Sequence, residues 1–129
     1  MFEKIAVKPG KPTWFARKGR QCVLGLPGNP ASALVCAHLF LRPLLKPASA
    51  HSRQTATLGT ELAANGKRAH YLRATVTRQD GGPLIATPYD NQDSSLLHPF
   101  LSANALILRE VNAPALERGA SVEVVMLTP

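Results

Sequence analysis

Three lysines, Lys4, Lys8 and Lys11, stand upstream of a glycine-proline run, Gly25-Leu26-Pro27-Gly28-Asn29-Pro30-Ala31-Ser32-Ala33-Leu34. The chemistry open to these residue types is anion binding. A helix that opens at Pro30 presents unpaired first-turn N–H groups and the positive end of its dipole, where a phosphate or a carboxylate fits. Gly25 and Gly28 let backbone approach such a ligand, and the lysines can add charge-assisted hydrogen bonds. A plainer reading stands beside this one. Glycine and proline can simply punctuate a tight strand-to-helix connection, and the lysines can form a solvated basic edge that discourages strand-to-strand aggregation. The spacing matches neither G-x-G-x-x-G nor G-x-x-x-x-G-K-[ST], so the nucleotide-fold fingerprints do not apply.

Other chemistries are poorly supported. Ser32, Ser94, Ser95 and Ser102 have no evident His/Asp partner set and no G-x-S-x-G elbow. Asp90 and Asp93 flank Asn91 and Gln92 without the ligand run or turn glycine of a calcium loop, and read as loop acids. His38 lies alone in an apolar stretch and reads as a packed or capping side chain. Cys22 and Cys36 lack paired metal-ligand spacing and are expected to be buried free thiols.

The elements that must position the glycine run follow from pattern. Asn29 suits an N-cap and Pro30 the first helical position, where its missing N–H costs nothing. Lys4–Lys8 reads as a strand broken by Pro9-Gly10-Lys11-Pro12, and Thr13–Arg17 with Gln21–Leu26 as a hairpin around Lys18-Gly19. The helix from Pro30 to Leu45 is apolar nearly all round, so it should be covered on more than one face, and Pro43 should kink or restart it. Pro47–Ser52 reads as a linker, with a boundary near residue 48. Beyond it, Gln54–Leu58, Tyr71–Arg78, Leu84–Thr87, Ala105–Glu110 and Ser121–Leu127 read as five short strands of a small barrel or sandwich. Asp80-Gly81-Gly82-Pro83 reads as a hairpin turn, Leu116-Glu117-Arg118-Gly119 as a tight turn into the last strand, and Ser94–Phe100 as a helical turn stopped at Pro99.

At 129 residues the chain can form one ordinary core or two small units that lean on each other. Its formal net charge of +7 is segregated: up to Lys46 there are eight bases against Glu3 alone, and beyond it seven bases balance seven acids. An anionic partner for the first part, or an acidic neighbour, is implied. No apolar run is long enough to span a membrane, and the first residues lack a signal-peptide core, so a soluble, cytoplasmic protein is expected.

Three blocks in order, Lys4-Ile5-Ala6-Val7-Lys8-Pro9-Gly10-Lys11-Pro12, then Gly25 to Ala33, then Phe40-Leu41-Arg42-Pro43-Leu44, resemble the C-terminal third of the MoeA/gephyrin-E family of molybdopterin molybdenumtransferases. The resemblance continues through Gln92-Asp93-Ser94-Ser95, Ala103-Asn104-Ala105-Leu106-Ile107 and Gly119-Ala120-Ser121-Val122-Glu123-Val124, and so covers nearly the whole chain. It implies a mixed, mainly β fold: residues 1–48 as the strand-hairpin-helix end of a MogA-like α/β domain that binds molybdopterin, and 49–129 as a five-stranded C-terminal β-barrel (domain IV). The implied reaction is insertion of molybdate into adenylylated molybdopterin with release of AMP and use of magnesium. By the same resemblance, Lys4, Lys8 and Lys11 would face the phosphates or molybdate, and Pro27, Gly28, Asn29, Pro30 and Ser32 would shape the pterin-side pocket. Arg73 and Ser94 would offer polar groups to a cleft that a second subunit of a homodimer completes. Asp93 stands where many members have glycine.

The family's catalytic and magnesium-binding carboxylates fall upstream of the resembling segment. The chain is therefore expected to be a fragment or a short gene product that holds no magnesium and does not insert molybdenum alone. A homo-oligomer is expected, with the missing N-terminal part or other molybdenum-cofactor proteins as further partners. Two other classes stay open: a protein-interaction scaffold of the same family, and a basic nucleic-acid-binding barrel. Against the latter, the barrel half is charge-neutral and too poor in aromatics to build a stacking platform.

Overall fold

The computed structural model describes residues 1–47, 53–93 and 98–127. The boundary expected near residue 48, most of the linker, and Ser94 lie outside them. Among the described residues nine strands form two sheets. In the smaller, β1 (Phe2–Glu3) and β4 (Gln21–Gly25) flank β3 (Trp14–Lys18), all antiparallel. Gly19 turns the β3–β4 hairpin at φ 59°, a region open to glycine at little cost. Lys4 also has positive φ, 57°, which ends β1. Of the strand expected over Lys4–Lys8 only Val7–Lys8 forms, as β2 in the larger sheet, while β1 lies before it in the smaller one.

That larger sheet closes on itself. β6 (Ala69–Arg78) pairs with β7 (Leu84–Pro88) through its second half and with β8 (Ala105–Arg109) through its first. β7 meets β5 (Arg53–Leu58), β5 meets β9 (Ser121–Met126), and β9 meets β8, giving a closed barrel of five strands. Inside lie Ala56, Leu58, Leu72, Ala74, Val76, Ala86, Ala105, Ile107, Val122 and Val124. Four alanines among these ten leave room for few large side chains, as the interior of a small barrel requires.

Where β6 changes partners, two carboxamides stand in for backbone. Beyond the end of β8, the Val76 N–H donates to Asn104 Oδ1 at 2.7 Å and Asn104 Nδ2 donates to the Val76 carbonyl at 2.9 Å. On the opposite edge the Arg73 N–H donates to Gln92 Oε1, and Gln92 Nε2 returns a bond to the Arg73 carbonyl, both at 2.9 Å. The Val76 N–H and carbonyl and the Arg73 N–H are thereby satisfied, while the Arg73 carbonyl also accepts from the Tyr89 N–H at 3.0 Å.

The helix begins as expected. Asn29 caps α1 (Pro30–Cys36), its side chain accepting from the Ser32 N–H at 3.2 Å. A π turn over Ala37–Leu41 follows, then α2 (Arg42–Leu45), with Pro43 in the first turn of α2. The widened turn lets the chain pass a proline without stopping. One face, Val35 and Leu39, packs on Leu106, Val125 and Leu127 of the barrel wall, with Phe40, Tyr71 and Ala103 alongside. This explains why β8 is buried at all five positions: Ala105 and Ile107 face the barrel interior, and Leu106 faces the helix. The other face of the helix remains open, with Leu34 41% and Leu45 72% exposed.

Two smaller expectations are corrected. Cys22 is exposed on β4; only Cys36 is buried. The short helix α3 (His98–Ser102) runs through Pro99 and does not stop there, since a proline in a first turn forfeits no helical bond.

Candidate anion-binding cleft

The loop after β2 is fixed to α1. A cis Lys8–Pro9 bond leads into Gly10, which is buried at φ 122°. A Cβ at Gly10 would overlap the Cys36 sulfur, so only glycine lets the loop lie this close to the helix. Thr13, fully buried, donates its N–H to the Gly10 carbonyl at 3.0 Å and its hydroxyl to Cys36 Sγ at 3.2 Å. Burial pushes the Cys36 thiol up, against a smaller opposing effect of the Thr13 bond, which keeps it a neutral packing group. The Ile5 N–H reaches the Lys11 carbonyl at 3.1 Å and closes the loop from the other side. Lys8 and Lys11 are thus carried on a clamped turn.

Parallel pairing of β2 with the start of β6 sets Val7 beside Ala69 and Lys8 beside His70. Between the loop, the first turn of α1 and this corner of the barrel lies a cleft of about 230 Å³. Lys8, Lys11 and Pro12 line one side and Ser32 the helix side. Arg68, His70 and Gln92 line the barrel side. Among the described residues no carboxylate lines it, and three cations do. Asn65 holds the turn that delivers Arg68, its Nδ2 donating to the carbonyls of Arg68 at 2.8 Å and Glu110 at 2.7 Å.

His70 is half-buried here. Burial first, then the charges of Lys8, Arg68 and Arg73, lower its pKa to about 4, so the imidazole is neutral at neutral pH. Arg73 is buried, and its guanidinium donates to the Asp93 carbonyl at 2.9 Å, tying the loop after β7 to the barrel.

Of the residues singled out from sequence, Lys8, Lys11 and Ser32 come together in this cleft. Lys4 is exposed between β1 and β2 and is not among its lining residues. Pro27 is buried, Gly28 exposed, Asn29 is the helix cap, and Pro30 is exposed on the first turn; none of the four lines the cleft. Gly25 lies under the Trp14 indole, whereas a Cβ at Gly28 would meet nothing within 4 Å. Sequence reasoning missed Arg68, His70 and Gln92. The turn Asn65-Gly66-Lys67 before an Arg-x-His pair was a usable signal for where β6 begins, but a two-residue strand pairing across some sixty residues leaves no local trace.

Comparison with known proteins supplies the relationship. Residues 55–127 match the model of the MoeA C-terminal region (domain IV), and residues 1–47 match a model described as "Probable molybdopterin binding domain". The chain is 36% identical over 118 residues to the molybdenum cofactor synthesis protein cinnamon of Drosophila melanogaster, covering 87% of this chain and 19% of that protein. It is 30% identical over 132 residues to a molybdopterin molybdenumtransferase of Bacillus subtilis, covering 98% of this chain and 30% of that one. The crystal structure of a molybdopterin biosynthesis MoeA protein from Pyrococcus horikoshii superposes with a TM-score of 0.77 at 27% identity, over 98% of this chain and 32% of that one. The chain thus spans a third or less of the length of these relatives. With the barrel and the preceding helix both matched, this chain belongs to the MoeA family, over the family's C-terminal region.

Proposed function

We propose that this chain serves molybdenum cofactor biosynthesis in the cytoplasm, as the C-terminal part of an enzyme that inserts molybdate into adenylylated molybdopterin. Residues 1–48 would contribute the edge of the molybdopterin-binding α/β domain and 49–129 the domain IV barrel. The observation that carries the reading is the cationic cleft at their junction, where Lys8, Lys11 and Ser32 of the first segment meet Arg68 of the second without any acid. Such a site favours an anion whose charge is offset by fixed ammonium and guanidinium groups. Lys8 and Lys11 would bind and orient the phosphate or molybdate, and the Ser32 hydroxyl, already within 3.4 Å of Asn29 Oδ1, would sit at the pocket wall.

Magnesium, part of the family's chemistry, does not fit the residues present. Among the described residues no three His, Cys, Asp or Glu groups come together to hold a metal ion, and the cleft has no carboxylate. No step is therefore assigned to it.

A homo-oligomer is part of this proposal, because the exposed face of Leu34, Leu41 and Leu45 offers apolar surface that association would bury. Light scattering at micromolar concentration tests it, and a monomeric mass refutes it. For the cleft, titration with molybdate at fixed ionic strength is the direct test. Lys8→Ala and Lys11→Ala should each weaken binding by about tenfold, the size of a lost charge-assisted hydrogen bond. Unchanged affinity in both variants would overturn the reading.

A further inference from the structure

Two cleft residues are unexplained by the reading above. Arg68 stands just before β6 and His70 is the second residue of that strand, Lys8 is the register partner of His70 on β2, and all three line the same cleft. His70 is a poor structural residue there. Its imidazole makes no hydrogen bond among the described residues, and it sits half-buried among cations. An alkyl side chain would fill the same volume without that electrostatic cost.

We propose that Arg68 and His70 are ligand-contacting residues of the cleft, and that His70 takes a proton from solvent when a doubly charged tetrahedral oxyanion binds, becoming an imidazolium hydrogen-bond donor to it. The inference rests on the anion-binding reading of the cleft. The charged groups around His70 are Lys8 and Lys11 from β2 and its loop, Arg68 just before its strand, Arg73 on its strand, and Arg109 on β8. Arg109 is its register partner but donates to the carbonyls of Ala63 and Pro114, while Asp93 acts on Arg73. In the empty cleft these cations and burial keep the ring neutral. A dianion between Lys8 and Arg68 reverses the local potential, and a neutral ring one strand away then becomes the nearest proton acceptor. No bond other than that N–H forms, and the proton comes from water or buffer. The chemistry is shared by molybdate and by a terminal phosphate group, so both are tested.

The experiment uses the full 129-residue chain, with molybdate, inorganic phosphate and sulfate titrated separately at pH 7.5. Sulfate is then titrated down to pH 5, because it keeps both charges across that range. The His70 ring proton is followed by NMR, identified by its loss in His70→Gln. Arg68→Ala should weaken tetrahedral dianions about tenfold. In the wild-type chain saturating sulfate should raise the His70 titration midpoint from about 4 by at least one pH unit, with sulfate affinity rising as pH falls. His70→Gln, which can donate but cannot take up a proton, should lose the gain in sulfate affinity between pH 7.5 and pH 5. A molybdate affinity well above that for phosphate and sulfate assigns the site to the metal oxyanion, and a preference for phosphate assigns it to the phosphoryl end of a larger ligand. A midpoint that does not move, or a pH gain that survives in His70→Gln, overturns the inference. If Lys8→Ala weakens binding while Arg68→Ala and the His70 signal are unaffected, the cleft reading survives and this one fails; absence of saturable binding overturns both.

Discussion

Gly10→Ala probes whether the lysine-bearing loop is held in place by its fit against Cys36. Two costs combine. The native φ of 122° is one that a residue with a Cβ rarely adopts, at about 1–3 kcal/mol. The new methyl would also overlap the Cys36 sulfur, and overpacking of this kind costs about 1–3 kcal/mol. The variant should therefore lose about 2–6 kcal/mol, a large share of a domain's stability. Cys36→Ala removes the sulfur and strips Thr13 of its hydroxyl acceptor, at about 1–2 kcal/mol. In the double variant the overlap disappears while the backbone cost and the loss at Thr13 remain, so it should be more stable than the sum of the singles implies by about 1–3 kcal/mol, the size of the overlap. Urea unfolding, followed by Trp14 fluorescence and circular dichroism at one fixed protein concentration, measures all four chains. Gly10→Ala within about 1 kcal/mol of wild type, or strict additivity in the double variant, would refute the close-approach argument.

Three further outcomes are expected. Asn104→Ala removes both bonds to Val76 and should cost about 2–3 kcal/mol in the same urea assay; a loss below about 0.5 kcal/mol would mean water replaces the amide. The folded chain holds His70 neutral down to about pH 4 against an ordinary 6.5. The unfolded chain therefore takes that proton first, and stability should be full above pH 6.5 and fall towards pH 4. His70→Gln should flatten that part of the profile, and an unchanged slope would count against the assignment. Arg53 and Glu123 pair at 2.8 Å, but both side chains are largely exposed, so Glu123→Gln should change stability by less than about 1 kcal/mol and by less still in high salt.

Local chemistry made much of this fold legible. Asn29 and Pro30 announced the helix start because capping depends on a few adjacent residues, and Gly19 announced the hairpin for the same reason. All five barrel strands stood out as β-branched or alternating runs, although the run through Ala105–Arg109 is continuous because the helix covers its outer face. What stayed hidden was long-range. The separation of β1 from β2 turns on the positive φ of Lys4, which composition does not announce. Arg68 and His70 join the cleft only because β2 adds to the barrel in parallel, and two residues of strand are too few to show a period. The lysines were visible as charge; their sorting into Lys8 and Lys11 at the cleft and Lys4 outside it depends on the clamp that Gly10, Thr13 and Cys36 make together.

The carboxamide of Asn104 bears on how the chain avoids folding into a near-miss. A strand with one wet face is kept in alignment by the penalty of turning apolar groups to water, but β8 is covered on both sides and a one-residue slip would still bury Leu for Ile. Pattern alone therefore discriminates weakly between the correct alignment and its neighbours. Asn104 supplies the missing discrimination, because a slip would carry its paired donor and acceptor away from Val76 and leave two backbone groups dry. Gln92 does the same on the opposite edge at Arg73. Proofreading of strand alignment in this barrel thus falls to two carboxamide side chains, and substitutions there should show up first as misfolded or aggregated product.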